Sequence, residues 1–407
     1  MLVDKVLFLS WESPWPAHSG AALRTLGLLK EISKAYPVEL LLLTRQPLST
    51  EQTVLLEKLA YKIIRVPLYD ATPFEKLGAA GWMLRQGYPY HNAVLEASLS
   101  DHPDVRQRMI SFPGIVFTSQ GNWGTVVRDR LARNWILNQC DADVEFWRVY
   151  ASQAASSFAR LAAQVNYRLA KRHFPPIYAN VGRIISVCEE DRQLTQALAP
   201  NAQIDVVENG VDCTYLTPDR MPRNDRPRLL FTGTSAGRNV IALRQFVRNV
   251  LPLIQQQILD IELLVAGNFN EQAQAEFEAL AAIRFTGRVD DMRPFFNQSD
   301  VFVAPFGETH GSKLKIAEAM AMAMPIVSTW QGIRGFALTD GESVCVAHTD
   351  EQFAAQVVSL LCDDQRRARL GSVARQVALD TIDWPVLGKR LVAIVGSTFR
   401  DLHEASR

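Results

Sequence analysis

Short apolar strands alternate with longer helical patterns twice along this 407-residue chain, and that alternation most limits what it can fold into. In the first run, residues 5–9, 38–43, 62–66, 115–117, 135–137 and 183–187 read as strands. Residues 20–35 read as a helix, with Leu23, Leu26, Leu29 and Ile32 at helical spacing. Residues 50–59 and 144–172 read as further helices, whereas 70–113, carrying Pro73, Pro89, Pro103 and Pro113, reads as irregular. The pattern then restarts. Strands are expected at 228–231, 261–265, 283–286, 301–304 and 326–328. Helices are expected at 240–250, 271–281, 292–297, 312–322, 351–362, 364–379 and 386–403. Continuous apolar strands joined by helices mean parallel sheets covered on both faces. Two such runs imply an α/β protein of two doubly wound domains. The polar, proline-rich TPDRMPRNDRP, residues 217–227, reads as the linker. Ligands of such sheets bind outside the carboxyl ends of the strands, and the cleft between two facing domains is the expected place.

Charge and cysteine content narrow the function. Lys+Arg and Asp+Glu both total 43, so the basic footprint of a nucleic-acid binder is missing. The five cysteines are far apart and form no C-x-x-C pair, which fits a reducing compartment better than a disulfide framework. No two of the seven histidines show metal-ligand spacing, so no metal site is expected. No segment approaches the roughly 20 apolar residues of a membrane-spanning helix. The expectation is a cytoplasmic protein, with peripheral membrane contact left open.

The stretch GSKLKIAEAMAMAMPIVST, residues 311–329, carries two charges in a helix otherwise rich in Ala and Met. At helical spacing Gly311, Lys315 and Glu318 fall within about 60° of one another. The preceding loop leaves strand 301–304 at its carboxyl end, so the helix N-terminus would point at the ligand site and favour an anion. There Gly311 allows close backbone approach, Ser312 could cap, Lys315 adds a cation and Glu318 can accept from two hydroxyls. A diphosphate beside a diol, as in a nucleotide sugar, fits. By itself the pair fits a salt bridge on a solvated face equally well; the apolar neighbours tip the balance.

Three other loops come after strands. SPWPAHSGAALRT, residues 13–25, offers Gly20 and Arg24 to a phosphate but lacks a G-x-G-x-x-G, which argues against a dehydrogenase. FTGTSAGRNV, residues 231–240, offers Gly233, Gly237 and Arg238, though a glycine-rich turn with a solvated Arg fits it at least as well. FTGRVDD, residues 285–291, puts Gly287 at a strand end, where a simple turn is the favoured reading. His310 immediately precedes Gly311. No G-x-S-x-G elbow appears, so a hydrolase finds no support.

Together these pieces resemble glycosyltransferase family 4, the retaining group 1 transferases with the GT-B fold of two Rossmann-like domains. The likeness runs through SPWPAHSGAALRT, ISVCEED, VVENGVDCTYLTP, FTGTSAGRNVIAL, LLVAGNF, FTGRVDDMRPFFNQSDVFVAPF and GSKLKIAEAMAMAMPIVSTWQGIRGF. DWPVLGKRL, near 383, is similar to the family's final helix, which crosses back to the first domain. The resemblance implies an N-terminal acceptor domain over 1–205 joined by helix 386–407, and a donor domain over 206–385. It implies that Glu318, the second Glu of an E-x7-E pattern, holds the donor ribose; His310 stands where the first Glu would be. Arg238, Lys315 and Lys313 match the residues that hold the diphosphate, and Gly20 matches the first-domain phosphate loop. The family's catalytic His or Asp comes after a mid-domain strand; the matching ILNQCDADVEFWR has no His, and Asp141 and Asp143 are nearest. The resemblance further implies a metal-independent, retaining transfer from a UDP- or GDP-linked sugar to a glycan, lipid-linked or small-molecule acceptor, without a further cofactor. The alternatives are a GT-B epimerase, a pyridoxal phosphate-dependent phosphorylase for which no lysine context is seen, and an inactive sugar-nucleotide-binding or scaffold protein. Loss of the first Glu and of the His keeps the last one open.

Overall fold

The computed structural model describes residues 4–17, 19–68, 73–154, 156–219, 226–277, 282–308 and 311–405, with 73–77 as backbone only. Two compact units emerge, Met1–Glu208 with Leu387–Arg407, and Asn209–Val386. The chain passes between them before the proline-rich stretch read as the linker, so residues 209–219 belong to the second unit.

The first unit has the order β1 (Val6–Trp11), α1 (Gly20–Ala35), β2 (Val38–Thr44), α2 (Thr50–Glu57), β3 (Lys62–Pro67), α3 (Pro73–Gln86), α4 (Tyr90–Leu99), α5 (Pro103–Ile110), β4 (Ile115–Thr118), β5 (Ala132–Asn138), α6 (Asp143–Gln153), α7 (Ser157–Asn180), β6 (Val181–Ser186), α8 (Glu189–Leu198) and β7 (Ile204–Val206). All strand pairs are parallel, in the order β3-β2-β1-β4-β5-β6-β7. Strands β1, β2 and β4 are buried almost along their whole lengths, as sheets covered on both faces require. Helix α1 starts where expected because the Ser19 hydroxyl accepts from the Ala22 N–H and satisfies an open first-turn donor.

The second unit contains β8 (Arg228–Thr232), α9 (Gly237–Gln245), α10 (Leu251–Gln255), β9 (Glu262–Ala266), α11 (Glu271–Ala275), β10 (Ile283–Phe285), α12 (Arg293–Asn297), β11 (Val301–Ala304), α13 (Leu314–Ala321), β12 (Ile326–Ser328), α14 (Trp330–Ile333), β13 (Cys345–Val346), α15 (Asp350–Cys362) and α16 (Asp364–Thr381). Its parallel sheet runs β10-β9-β8-β11-β12-β13. Helix α17 (Trp384–Ala405) begins in this unit and continues in the first. In both sheets the order reverses beside the first strand, between β1 and β4 and between β8 and β11. Such a switch point opens a crevice at the carboxyl ends of the strands.

Two expectations need correction. Residues 70–113 are not irregular: described from 73 onward, they form α3, α4 and α5. Pro73 and Pro103 open helices and Pro89 is an N-cap, the places where a missing N–H costs nothing. The long helix expected over 144–172 is two, divided at Ala154, whose ψ of 126° is extended. The second of them runs on through Pro175 and Pro176 to Asn180.

Candidate functional site

Lys315 and Glu318 lie on α13, which comes after β11, one side of the switch point of the second sheet. The Lys315 ammonium donates to the Thr232 carbonyl at 2.6 Å, where β8 ends, and to Asn239 Oδ1 at 2.8 Å. It also lies over the rings of Phe306 and Phe231, at 4.7 and 5.2 Å from their centroids. This overturns the salt-bridge reading: the cation reaches across the switch point instead of pairing with Glu318. Burial lowers its pKa to about 7, helped by the charge of Arg238; Glu318 pulls the other way.

Glu318, one turn further on, is half-buried, and among the described residues its carboxyl makes no hydrogen bond. Burial raises its pKa to about 7 against the opposing pull of Lys315. A carboxyl so placed is an open acceptor, stabilised by any donor that reaches it.

The turn before α13 departs from the sequence reading. The helix begins at Leu314, not Ser312, and its N-cap is Lys313, without a side-chain cap bond. Gly311 is buried at φ +61°, a conformation that suits glycine. Ser312 does not cap: its hydroxyl accepts from the Asn209 amide at 2.8 Å. Lys313 is buried, and its ammonium folds back on the Gly311 carbonyl at 2.9 Å. Lys313 therefore ties down the turn. His310 lies outside the described residues.

Asn239 and Asn209, which the sequence reading passed over, organise the loops. Asn239 accepts from Lys315 and donates to the Thr234 carbonyl at 3.0 Å. Gly233 packs closely on Asn239: a Cβ there would fall 3.1 Å from Asn239 Cγ, so the amide would have to give by a few tenths of an ångström. Gly267, at φ +125°, would drive a Cβ to 1.9 Å from the Gly233 carbonyl oxygen. Gly287, at φ +69°, pairs across to Gly267. Three glycines thus keep backbone open at the ends of β8, β9 and β10. Arg238, the second residue of α9, is exposed and makes no hydrogen bond or ion pair among the described residues.

In the first unit, Gly20 is the exposed first residue of α1. Arg24, offered to a phosphate by the sequence, is buried. Its guanidinium donates to Asn138 Oδ1 at 3.2 and 2.7 Å and to the Glu208 carbonyl at 2.8 Å. Burial lowers its pKa. It holds the end of β5 to the chain that leaves β7. Asp141 is half-buried beyond β5, close enough to Arg24 for their charges to interact. Asp143, at the start of α6, accepts from Gln139 and Tyr178, both at 2.9 Å. Burial outweighs these bonds and raises its pKa to about 7. Among the described residues no group of three His, Cys, Asp or Glu could hold a metal ion.

Residues 226–363 match the family model described as Glycosyl transferases group 1. That segment holds Gly233, Arg238, Gly287, Lys315 and Glu318. Along the whole chain, an uncharacterised 44.6 kDa protein of the cps region of Klebsiella pneumoniae is 19% identical over 87% of this chain and 90% of its own length. A GDP-mannose-dependent monoacylated alpha-(1-6)-phosphatidylinositol monomannoside mannosyltransferase of Corynebacterium glutamicum is 23% identical, over 51% of this chain and 59% of that protein. Among solved structures, Anabaena HepE in complex with UDP superposes with a TM-score of 0.65 at 15% identity, covering 97% of this chain and 100% of that one. Sucrose-phosphate synthase from Thermosynechococcus elongatus gives 0.66 at 16% identity, over 99% and 100%. The two parallel-sheet units are the GT-B fold of these glycosyltransferases.

Proposed function

We propose that this protein is a retaining glycosyltransferase that moves a sugar from a nucleotide-sugar donor to a glycan, lipid-linked or small-molecule acceptor. The observation that carries the reading is the half-buried Glu318 carboxyl, without a hydrogen bond among the described residues, one turn from a lysine ammonium at the switch point of the second sheet. Nucleotide-sugar chemistry supplies what both groups lack. A ribose diol would donate to Glu318, and a diphosphate would bring negative charge to Lys315 and Arg238.

The chemical difficulty is charge on the leaving group. As the glycosidic bond breaks, the diphosphate becomes more negative. Lys315, held ready by Asn239 and Thr232, meets that charge with a group already in place, and exposed Arg238 adds a second cation. The cations belong to the chain, so the reading needs no divalent ion. Gly233, Gly287 and Gly311 let backbone approach the nucleotide, and Glu318 positions the donor and takes no part in proton transfer during the sugar-transfer step. Asp141 is assigned to the acceptor side. The named relatives support both a uracil and a guanine donor, since HepE holds UDP and the mannosyltransferase depends on GDP-mannose.

Calorimetric titration with UDP, GDP and their sugars, with and without chelator, tests the proposal. Binding of one nucleotide that ignores chelator and is lost in Glu318→Ala supports it, and the anomer of the product, read by NMR, tests retention. Unchanged affinity and turnover in Glu318→Ala would overturn the assignment.

A further inference from the structure

The longest helix of the first unit presents an unusual outer face. Helix α7 buries Ala163, Asn166, Ala170, His173, Phe174 and Ile177. On the opposite side, at alternating steps of three and four residues, stand Phe158, Leu161, Val165, Arg168 and Arg172. Phe158 is 82% exposed, Leu161 60% and Val165 42%. Single exposed apolar residues need no explanation, but an aligned trio with an aromatic at its end does. Exposed Arg160 and Lys171 flank the stripe. No Asp or Glu occurs from Phe146 to Cys188. Packed beside this helix is the end of α3: a Cβ at Gly87 would lie 3.9 Å from Leu169, and Leu84, three residues earlier, is 88% exposed.

We infer that this face of α7 docks on an anionic lipid surface. Charge decides the occupant. A second copy of the face would bring Arg160, Arg168, Lys171 and Arg172 against their own kind. An acidic bilayer offers those cations phosphate groups and offers Phe158, Leu161 and Val165 the acyl boundary. That division, apolar stripe within a basic and acid-free helix, is what an interfacial helix requires. No described helix is long and apolar enough to cross a membrane, so the contact lies on the surface. Every residue of this face belongs to the first unit, and none of them belongs to the donor site.

The test is co-sedimentation of the full chain with phosphatidylcholine vesicles, with and without one quarter phosphatidylglycerol. The expected result is binding to the anionic vesicles only, weakened by salt. Removing two cations in Arg168→Ser/Arg172→Ser should cut partitioning roughly thirty-fold, at about a fivefold loss per cation. Phe158→Ser/Leu161→Ser should abolish the part that resists salt. Lys30→Ser/Lys58→Ser, the same charge change at exposed sites on α1 and just after α2, should leave binding unaltered. Lack of binding to anionic vesicles at low salt would overturn the inference. So would equal losses in the Lys30/Lys58 control, or indifference to Phe158→Ser/Leu161→Ser, which would leave only nonspecific attraction between polyions. Self-association that disappears in Phe158→Ser/Leu161→Ser without vesicle binding would assign the face to a second copy instead.

Discussion

The Lys315 ammonium sits 2.8 Å from the Asn239 side-chain oxygen, so the proposed donor cation is held by a residue in the first turn of the neighbouring helix α9. The same amide fixes the Thr234 carbonyl. Asn239→Ala should therefore remove two partly buried hydrogen bonds and leave the Thr232 carbonyl as the remaining hydrogen-bond acceptor of Lys315 among the described residues. The expected cost is about 1–3 kcal/mol, because partners are left unsatisfied. Urea unfolding of the purified chain measures it, and a midpoint equal to that of the parent would show that Asn239 does not hold the loop.

Gly121 and Asp143 make a comparable pair in the first unit. A Cβ on Gly121 would lie 2.3 Å from an Asp143 carboxylate oxygen, and Gln139 and Tyr178 pin that carboxylate. Gly121→Ala should be destabilising, by about 1–3 kcal/mol as for overpacking elsewhere. Asp143→Ala should relieve part of the cost, so the double mutant should be more stable than the sum of the single effects. Additive effects in the unfolding cycle would refute the clash.

Asp143 also predicts a pH dependence. Its folded pKa is raised to about 7 from 3.8, mainly by burial. Between those values the folded chain holds a proton that the unfolded chain has lost. Its contribution to stability is therefore present at low pH and is lost as pH rises through about 7. Asp143→Asn should flatten that part of the stability curve. An unchanged slope between pH 4 and pH 7 would mean that Asp143 is ionised in the folded protein throughout the range.

Much of this architecture was legible because buried parallel strands announce themselves as unbroken apolar runs. Val38 through Leu43 and Val301 through Ala304 could be little else. The prolines misled. Read as breaks, Pro73, Pro89 and Pro103 stand at helix beginnings, where their fixed φ helps. Strands β7 and β13, of three and two residues, are too short to show a pattern. In the site, the type and spacing of Lys315 and Glu318 pointed to chemistry from sequence alone. Asn239 and Asn209 did not, because their roles depend on partners 76 and 103 residues away. Arg24 shows the converse. One turn into a phosphate-like loop, its partners are Asn138 and the Glu208 carbonyl, 114 and 184 residues distant. Local sequence cannot tell a ligand-binding arginine from one that staples two strand ends.

Proton linkage gives the sharpest test of the donor site. Burial brings the pKa of Lys315 down to about 7 and that of Glu318 up to about 7. A diphosphate at Lys315 should raise that pKa, so binding takes up a proton. Hydroxyl donors at Glu318 should lower its pKa, so binding releases one. Near pH 7 the two changes have opposite signs and oppose each other. Lys315→Met should unmask release, and Glu318→Gln should unmask uptake. Calorimetry of nucleotide binding in two buffers of different ionisation enthalpy reads both directly. Uptake and release of the opposite signs, or no linkage in either variant, would mean that the nucleotide does not engage these two residues.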